Sequence, residues 1–252
     1  MWSREKCIQC RDCENLCPKR AISFPDNSLS IDKKKCELCG TCAENCHAQA
    51  LKLVGQDITV NQLMKELEKD SVFYDESGGG VTFSGGEPLM QHFFLKKLLQ
   101  ASKASGFHTA VDTCGYSEPG ILLNAGKYVD LFLYDIKVIN NEKHLQYTSV
   151  SNKLILDNLI KLSDEGRQII VRFVLIPGIN DNRKDIIELG KFVSELKTVK
   201  EIDILPYHRG GIEKLKRMQK DSCFVSEPPS ASFQAEARKL LEDFGLKAKI
   251  GG

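Results

Sequence analysis

At 252 residues the chain is long enough for one large domain, or for a small domain joined to a larger one. Its 35 basic and 34 acidic residues leave a formal charge of +1 with no long single-sign run, which speaks against nucleic acid or an anionic membrane as a partner. No stretch nears the ~20 uninterrupted apolar residues of a membrane span, and the opening MWSREKC lacks the apolar core of a secretory signal, so the chain reads as cytoplasmic.

Clustered cysteines in that compartment bind metal more often than they pair as disulfides. Eight of the ten fall within the first 46 residues. The first run is C-x2-C-x2-C-x3-C-P, formed by Cys7, Cys10, Cys13, Cys17 and Pro18. The second repeats the spacing 29 residues later with Cys36, Cys39, Cys42 and Cys46, and His47 replaces the proline. This is the spacing of a two-cluster bacterial ferredoxin, in which the fourth cysteine of each run ligates the other run's cluster. Cys7, Cys10, Cys13 and Cys46 are therefore expected to hold one [4Fe–4S] cluster, and Cys36, Cys39, Cys42 and Cys17 the second. Zinc sites space their cysteine pairs farther apart, and a disulfide scaffold would want a secretory signal. Residues 1–55 are expected to form this ferredoxin-like domain.

From residue 56 to 252 short apolar runs alternate with amphipathic ones. Expected strands are VTFS (81–84), HTAVDT (108–113), DLFLYDI (130–136), IIVRFVLI (169–176) and EIDILPY (201–207). Between them QHFFLKKLLQASKASG, NKLILDNLIKLSDEG and NRKDIIELGKFVSELK read as helices, two of them stopping at glycine. Alternating strands and helices argue for parallel βα units. A closed eight-unit barrel needs ~250 residues, so the five visible strands predict an open, partial barrel. The carboxyl ends of these strands are unusually polar: Gly85, Gly86 and Glu87 after the first, Asp112 and Thr113 at the second, Asp135 and Lys137 at the third, His208 after the fifth, with Arg172 inside the fourth. Singly each has a structural reading. The glycines can be turns, the aspartates helix caps, Lys137 solvated, Arg172 an ion-pair partner and His208 structural. Together at one mouth they point to a ligand site. Cys114 and Cys223 read as ordinary thiols.

GGGVTFSGGEPLMQ, followed in order by VDTCGY, LFLYDIK, VRFVLIPGIND and ILPYH, resembles the activating enzymes of glycyl-radical enzymes, in the radical S-adenosylmethionine superfamily. DITVNQLMKELEKDSVFY resembles that family's linker helix, and the ferredoxin-like insert resembles its decarboxylase, dehydratase and lyase activators. The resemblance implies that Gly85, Gly86 and Glu87 hold the amino end of S-adenosylmethionine. It gives Asp112, Thr113, Asp135 and the Leu133 carbonyl to a monovalent cation, Lys137 and His208 to the cosubstrate's carboxylate or ribose, and Arg172 to its orientation. The implied reaction is reductive cleavage of S-adenosylmethionine to a 5′-deoxyadenosyl radical, which removes hydrogen from a glycine of a partner enzyme. A flavodoxin or ferredoxin would donate the electron, and the two clusters would relay it.

The family's own C-x3-C-x2-C, which would hold a third [4Fe–4S] cluster in a full-length form, has no counterpart here, and neither has the strand expected to carry it. That leaves VTFS as an expected exposed edge. The chain is expected not to cleave S-adenosylmethionine. Either Met1 is an internal methionine of a longer activator, or the motif is lost and a two-cluster electron-transfer or binding protein remains on a non-catalytic barrel.

Overall fold

The protein is described from a computed structural model at residues 1–218 and 226–251, so Cys223 lies outside the described residues. In chain order its helices are α1 (Asp12–Asn15), α2 (Thr41–Glu44), α3 (Val60–Leu67), α4 (Ser71–Ser77), α5 (His92–Ala104), α6 (Pro119–Gly126), α7 (Asn141–Thr148), α8 (Lys153–Asp164), α9 (Arg183–Ser194), α10 (Gly210–Arg217) and α11 (Ala231–Glu242). The strands are β1 (Ile22–Ser23), β2 (Ser30–Ile31), β3 (Gly80–Phe83), β4 (His108–Thr113), β5 (Leu131–Ile136), β6 (Ile169–Leu175), β7 (Glu201–Pro206) and β8 (Lys247–Ile250). Two compact units result: Met1–Asp57 with His208–Val225, and Ile58–Tyr207 with Ser226–Gly252.

The first unit is built on the duplication. Each cysteine run passes through a one-turn helix, α1 or α2, and β1 pairs antiparallel with β2. Its small core is Ile22, Leu29 and Leu51, against which Trp2 and four of the cysteines pack. So little apolar area cannot stabilise a fold of this size unaided, which fits a domain whose metal supplies folding energy.

The second unit is an α/β partial barrel: six parallel strands in the sequential order β3-β4-β5-β6-β7-β8, with helices as crossovers. Strict alternation sets its register. In β6 Ile169, Val171, Phe173 and Leu175 are buried, whereas Ile170, Arg172 and Val174 face the other side. The buried face continues through Phe83, Val111, Phe132, Tyr134, Ile202 and Ile204 and packs on Leu95, Leu99, Leu122, Leu159, Leu162, Ile186, Leu189 and Leu241 of the helices. A one-residue slip would drive Arg172 into that core, so the register is tightly specified. Helix starts are capped by side chains: Thr59 forms a capping box with Gln62, and Asn140, Asn182 and Ser230 each accept an N–H of the first turn.

All five expected strands are present, and β8 is a sixth that the sequence pattern did not reveal. Its KAKI carries two lysines in four residues and too few apolar positions to read as a strand. β3 pairs only with β4 and β8 only with β7, so both are edges among the described residues. No helix among those residues is long and apolar enough to cross a membrane.

Candidate functional site

In the first unit the backbone turns left-handed at matching points of the two runs. Gln9 and Leu38 have φ of 58° and 54°, Arg11 and Gly40 62° and 86°, Arg20 and Gln49 48° and 49°. Non-glycine residues avoid this region unless the surroundings impose it. Here the turns swing successive thiols to one side of each loop. One pocket is lined by Cys7, Cys10, Cys13 and Cys46, the other by Cys36, Cys39, Cys42 and Cys17. Each pocket thus takes three sulfurs from one run and the fourth from the other. The Ala21 N–H donates to Cys17 Sγ and the Ala50 N–H to Cys46 Sγ, both at 3.2 Å. Such amide donors stabilise negative charge on sulfur. Pro18 and His47 occupy the same turn position after the fourth cysteine, so the missing proline leaves the turn unchanged.

Four convergent thiols per pocket suit a [4Fe–4S] cluster. Burial pushes the Cys13 thiol up to about 11 and raises Cys42 as well, so iron binding there displaces protons. The Thr41 hydroxyl, 3.4 Å from Cys39 Sγ, lowers that thiol's pKa instead.

In the second unit the polar strand ends converge. Gly85, with φ of 146°, and Gly86 are exposed after β3, and a Cβ on either would meet no protein atom within 4 Å. Glu87 does not project freely into that space. Its Oε1 accepts from Thr113 Oγ1 at 2.7 Å and from the Leu89 N–H at 3.2 Å. Its Oε2 accepts from the Cys114 N–H at 3.0 Å and from Cys114 Sγ at 3.1 Å. The carboxylate therefore ties the glycine loop to the end of β4. Burial, followed by the Glu87 contact, raises the Cys114 pKa and keeps it a thiol donor.

The β4 end is itself held from beneath. Gly115 has φ of 69°, and a Cβ there would sit 1.7 Å from the Tyr134 hydroxyl. Tyr134 is fully buried and donates to the Ile155 carbonyl at 2.7 Å. Asn158 Nδ2 donates to the carbonyls of Gly115 and Ser117, both at 2.8 Å.

Arg172 lies between two carboxylates. Its Nε donates to Asp135 Oδ1 at 2.8 Å and its Nη2 to Asp112 Oδ1, and Ser84 Oγ donates to Asp112 Oδ2 at 3.0 Å. Asp112 and Asp135, which the resemblance gives to a monovalent cation, thus carry an internal one. Burial raises the Asp135 pKa although Arg172 pulls it down. The Arg172 pKa also rises, because the two carboxylates outweigh the cost of its burial. The exposed Lys137 is near enough to lower the pKa values of both Asp135 and Cys114.

Gly85, Gly86, Glu87, Asp112, Thr113, Asp135, Lys137 and Arg172 are thus brought to the carboxyl ends of adjacent strands. Half-buried Leu133 sits beside Asp112 in the ladder. His208 belongs to the His208–Val225 segment of the first unit, where its Nδ1 accepts the Gly210 N–H at 3.1 Å. Two participants escaped sequence reasoning. Cys114 carries no marker beyond its place after Thr113. Asp203, paired in register with Arg172, is buried with Oδ1 unpartnered, and burial followed by the nearby Glu201 raises its pKa. The alternation EIDIL already put it on the Arg172 face.

The residues that could hold the family's third cluster do not fit: beyond the eight cysteines of the two pockets, only Cys114 and Cys223 are present.

Residues 36–190 match the family described as the radical SAM superfamily, and residues 6–50 the 4Fe-4S dicluster domain. The trans-4-hydroxy-L-proline dehydratase activating enzyme of Clostridioides difficile is 39% identical across 100% of this chain and 84% of its own length. The isethionate sulfite-lyase activating enzyme of Oleidesulfovibrio alaskensis is 41% identical across 83% of this chain and 67% of its own. Among solved structures, a domain of pyruvate-formate lyase-activating enzyme from Bacteroides vulgatus superposes with a TM-score of 0.60 at 32% identity, covering 69% of this chain and 99% of that one. SuiB of Streptococcus suis bound to S-adenosylmethionine gives a TM-score of 0.61 at 14% identity over 82% of this chain and 46% of that one, a likeness of fold alone.

Proposed function

The chain belongs to the radical SAM superfamily and, within it, to the activating enzymes of glycyl-radical enzymes, and from that premise we propose that it serves the installation of a glycyl radical on a partner enzyme. The cofactors of that family are S-adenosylmethionine and [4Fe–4S] clusters, and the dicluster domain adds clusters of its own. The observation that carries the reading is the gathering of Gly85–Glu87, Asp112–Thr113, Asp135 and Arg172 at one end of the parallel sheet, where ligands of such sheets bind.

S-adenosylmethionine supplies, when cleaved, the radical that takes hydrogen from the partner's glycine. That cleavage needs a third cluster, and residues 1–252 have no cysteines left for it, so no cleavage step is assigned to them. What these residues do is bind and orient. Gly85 and Gly86 let the cosubstrate approach backbone. Glu87 holds their loop against β4 through Thr113 and Cys114. Arg172 fixes Asp112 and Asp135, and Lys137 supplies a cation toward a carboxylate. Cys7, Cys10, Cys13 and Cys46 hold one relay cluster, and Cys36, Cys39, Cys42 and Cys17 the other.

A second reading, a two-cluster electron carrier on a non-catalytic barrel, is favoured by one observation: both four-cysteine pockets are complete while a third set is absent. Anaerobic calorimetry of the reconstituted protein with S-adenosylmethionine separates the two. Saturable binding that weakens at least about tenfold in Gly86→Val supports the activase reading; no binding leaves the carrier.

A further inference from the structure

We propose that the face around the Cys36/Cys39/Cys42/Cys17 pocket is where electrons enter, and that it docks an acidic one-electron carrier protein. The proposal rests on the two-cluster reading and goes beyond it by choosing between the two clusters.

The duplicated runs have similar backbones but unlike surfaces. Lys19 and Lys52 line the Cys36 pocket, and the exposed Arg20, Lys33, Lys34 and Lys35 stand within three residues of Cys17 or Cys36 in the chain, six cations in all. They face three carboxylates, Asp32, Glu37 and Glu44. Asp32 pairs with Lys35 at 3.7 Å and Glu37 with Lys19 at 2.8 Å. Among the described residues Arg20, Lys33, Lys34 and Lys52 form no ion pair with a carboxylate. Around the other pocket, residues 4–16 carry three cations (Arg4, Lys6, Arg11) and three carboxylates (Glu5, Asp12, Glu14), and so balance.

The excess has a physical use. A [4Fe–4S] cluster with four thiolates is net negative and repels an anionic donor; cations around it remove that barrier and steer encounter. The basic face also has an apolar centre. Leu38 is 72% exposed and Leu53 54% exposed, both line the Cys36 pocket, and a Cβ on Gly40 would meet Leu53 Cδ2 at 3.7 Å. A small apolar patch within a charged rim is the make-up of weak electron-transfer interfaces.

The test uses flavodoxin hydroquinone as the acidic probe and stopped-flow bleaching of the clusters' visible absorbance in the reconstituted 252-residue protein. Lys33→Glu/Lys34→Glu is compared with Arg4→Glu/Lys6→Glu on the other face. The expected result is a fall of at least about tenfold in the low-salt flavodoxin rate for the first double variant, with a flatter salt dependence, and under about twofold for the second. Reduction by dithionite, which needs no docking, should change less than about twofold in both. An eight-iron protein whose flavodoxin rate ignores the Lys33/Lys34 reversal, or responds equally to both doubles, overturns the docking proposal alone. A protein that takes up fewer than about eight irons, or that dithionite cannot reduce, overturns the two-cluster reading and the docking proposal with it.

Discussion

Arg172 shows how one side chain sets the chemistry of a strand end. Asp112 and Asp135 are each only about one-fifth exposed and share its guanidinium, so Arg172→Met would leave two partly buried carboxylates without their cation. Breaking a buried pair costs about 3–5 kcal/mol; the remaining solvent contact brings the expected loss here to about 2–3 kcal/mol at neutral pH. The sign with pH follows from Asp135, whose folded pKa is raised. The folded state holds that proton more tightly than the unfolded one, so acidification relieves the unpaired charge. Thermal unfolding should therefore show a deficit that shrinks from pH 7.5 toward pH 5; an equal deficit at both would count against the ion-pair account. Gly115→Ala is expected to cost more than about 2 kcal/mol, because its Cβ meets the buried Tyr134 hydroxyl at a backbone φ of 69°. It should also weaken S-adenosylmethionine binding, since Glu87 is anchored on that loop; a stable Gly115→Ala protein with unchanged binding would contradict this. The sequence displayed Glu87 and Arg172 but not what they hold. Cys114 and Asp203 look ordinary until the strand register places one on Glu87 and the other beside Arg172.

At the scale of elements, the cysteine runs were the most legible part of the chain. Spacing alone dictates which sulfurs can converge, and the crossed sets that it implies are the sets that line the two pockets. The prediction is quantitative. Cys46→Ser with Cys7→Ser touches one crossed set and should leave about four irons per chain, whereas Cys46→Ser with Cys36→Ser touches both and should leave few. The opposite ranking, read by iron analysis and electron paramagnetic resonance, would mean that each run holds its own cluster. The parallel strands were legible for a different reason: each is a short run rich in β-branched, aromatic and aliphatic residues, set between amphipathic helical stretches. β8 was not, because an edge strand buries little, and Lys247 and Lys249 serve to pair with Glu201 and to charge an edge. β3, the opposite edge, has no such lysine. His108 O lies so close that a Cβ on Gly80 would fall 2.0 Å away, so glycine there is a packing requirement of the β3–β4 pair.

At the scale of the molecule, the proposed function divides the work between a ferredoxin-like unit that supplies electrons and a radical SAM barrel that holds the cosubstrate. Net charge hides the uneven distribution: the formal value of +1 is the sum of +3 around one cysteine pocket, six cations against three carboxylates, and −2 over the rest of the chain. The central proposal is that residues 1–252 hold S-adenosylmethionine at the barrel mouth and two relay clusters on the crossed cysteine sets, without the cysteines to cleave it. The most direct measurement is anaerobic incubation of the reconstituted, dithionite-reduced protein with S-adenosylmethionine, followed by quantification of bound cosubstrate and of 5′-deoxyadenosine against a cluster-free control. The account predicts cosubstrate retained intact and no 5′-deoxyadenosine above the control. 5′-Deoxyadenosine above it, or failure to retain the cosubstrate at all, would contradict it.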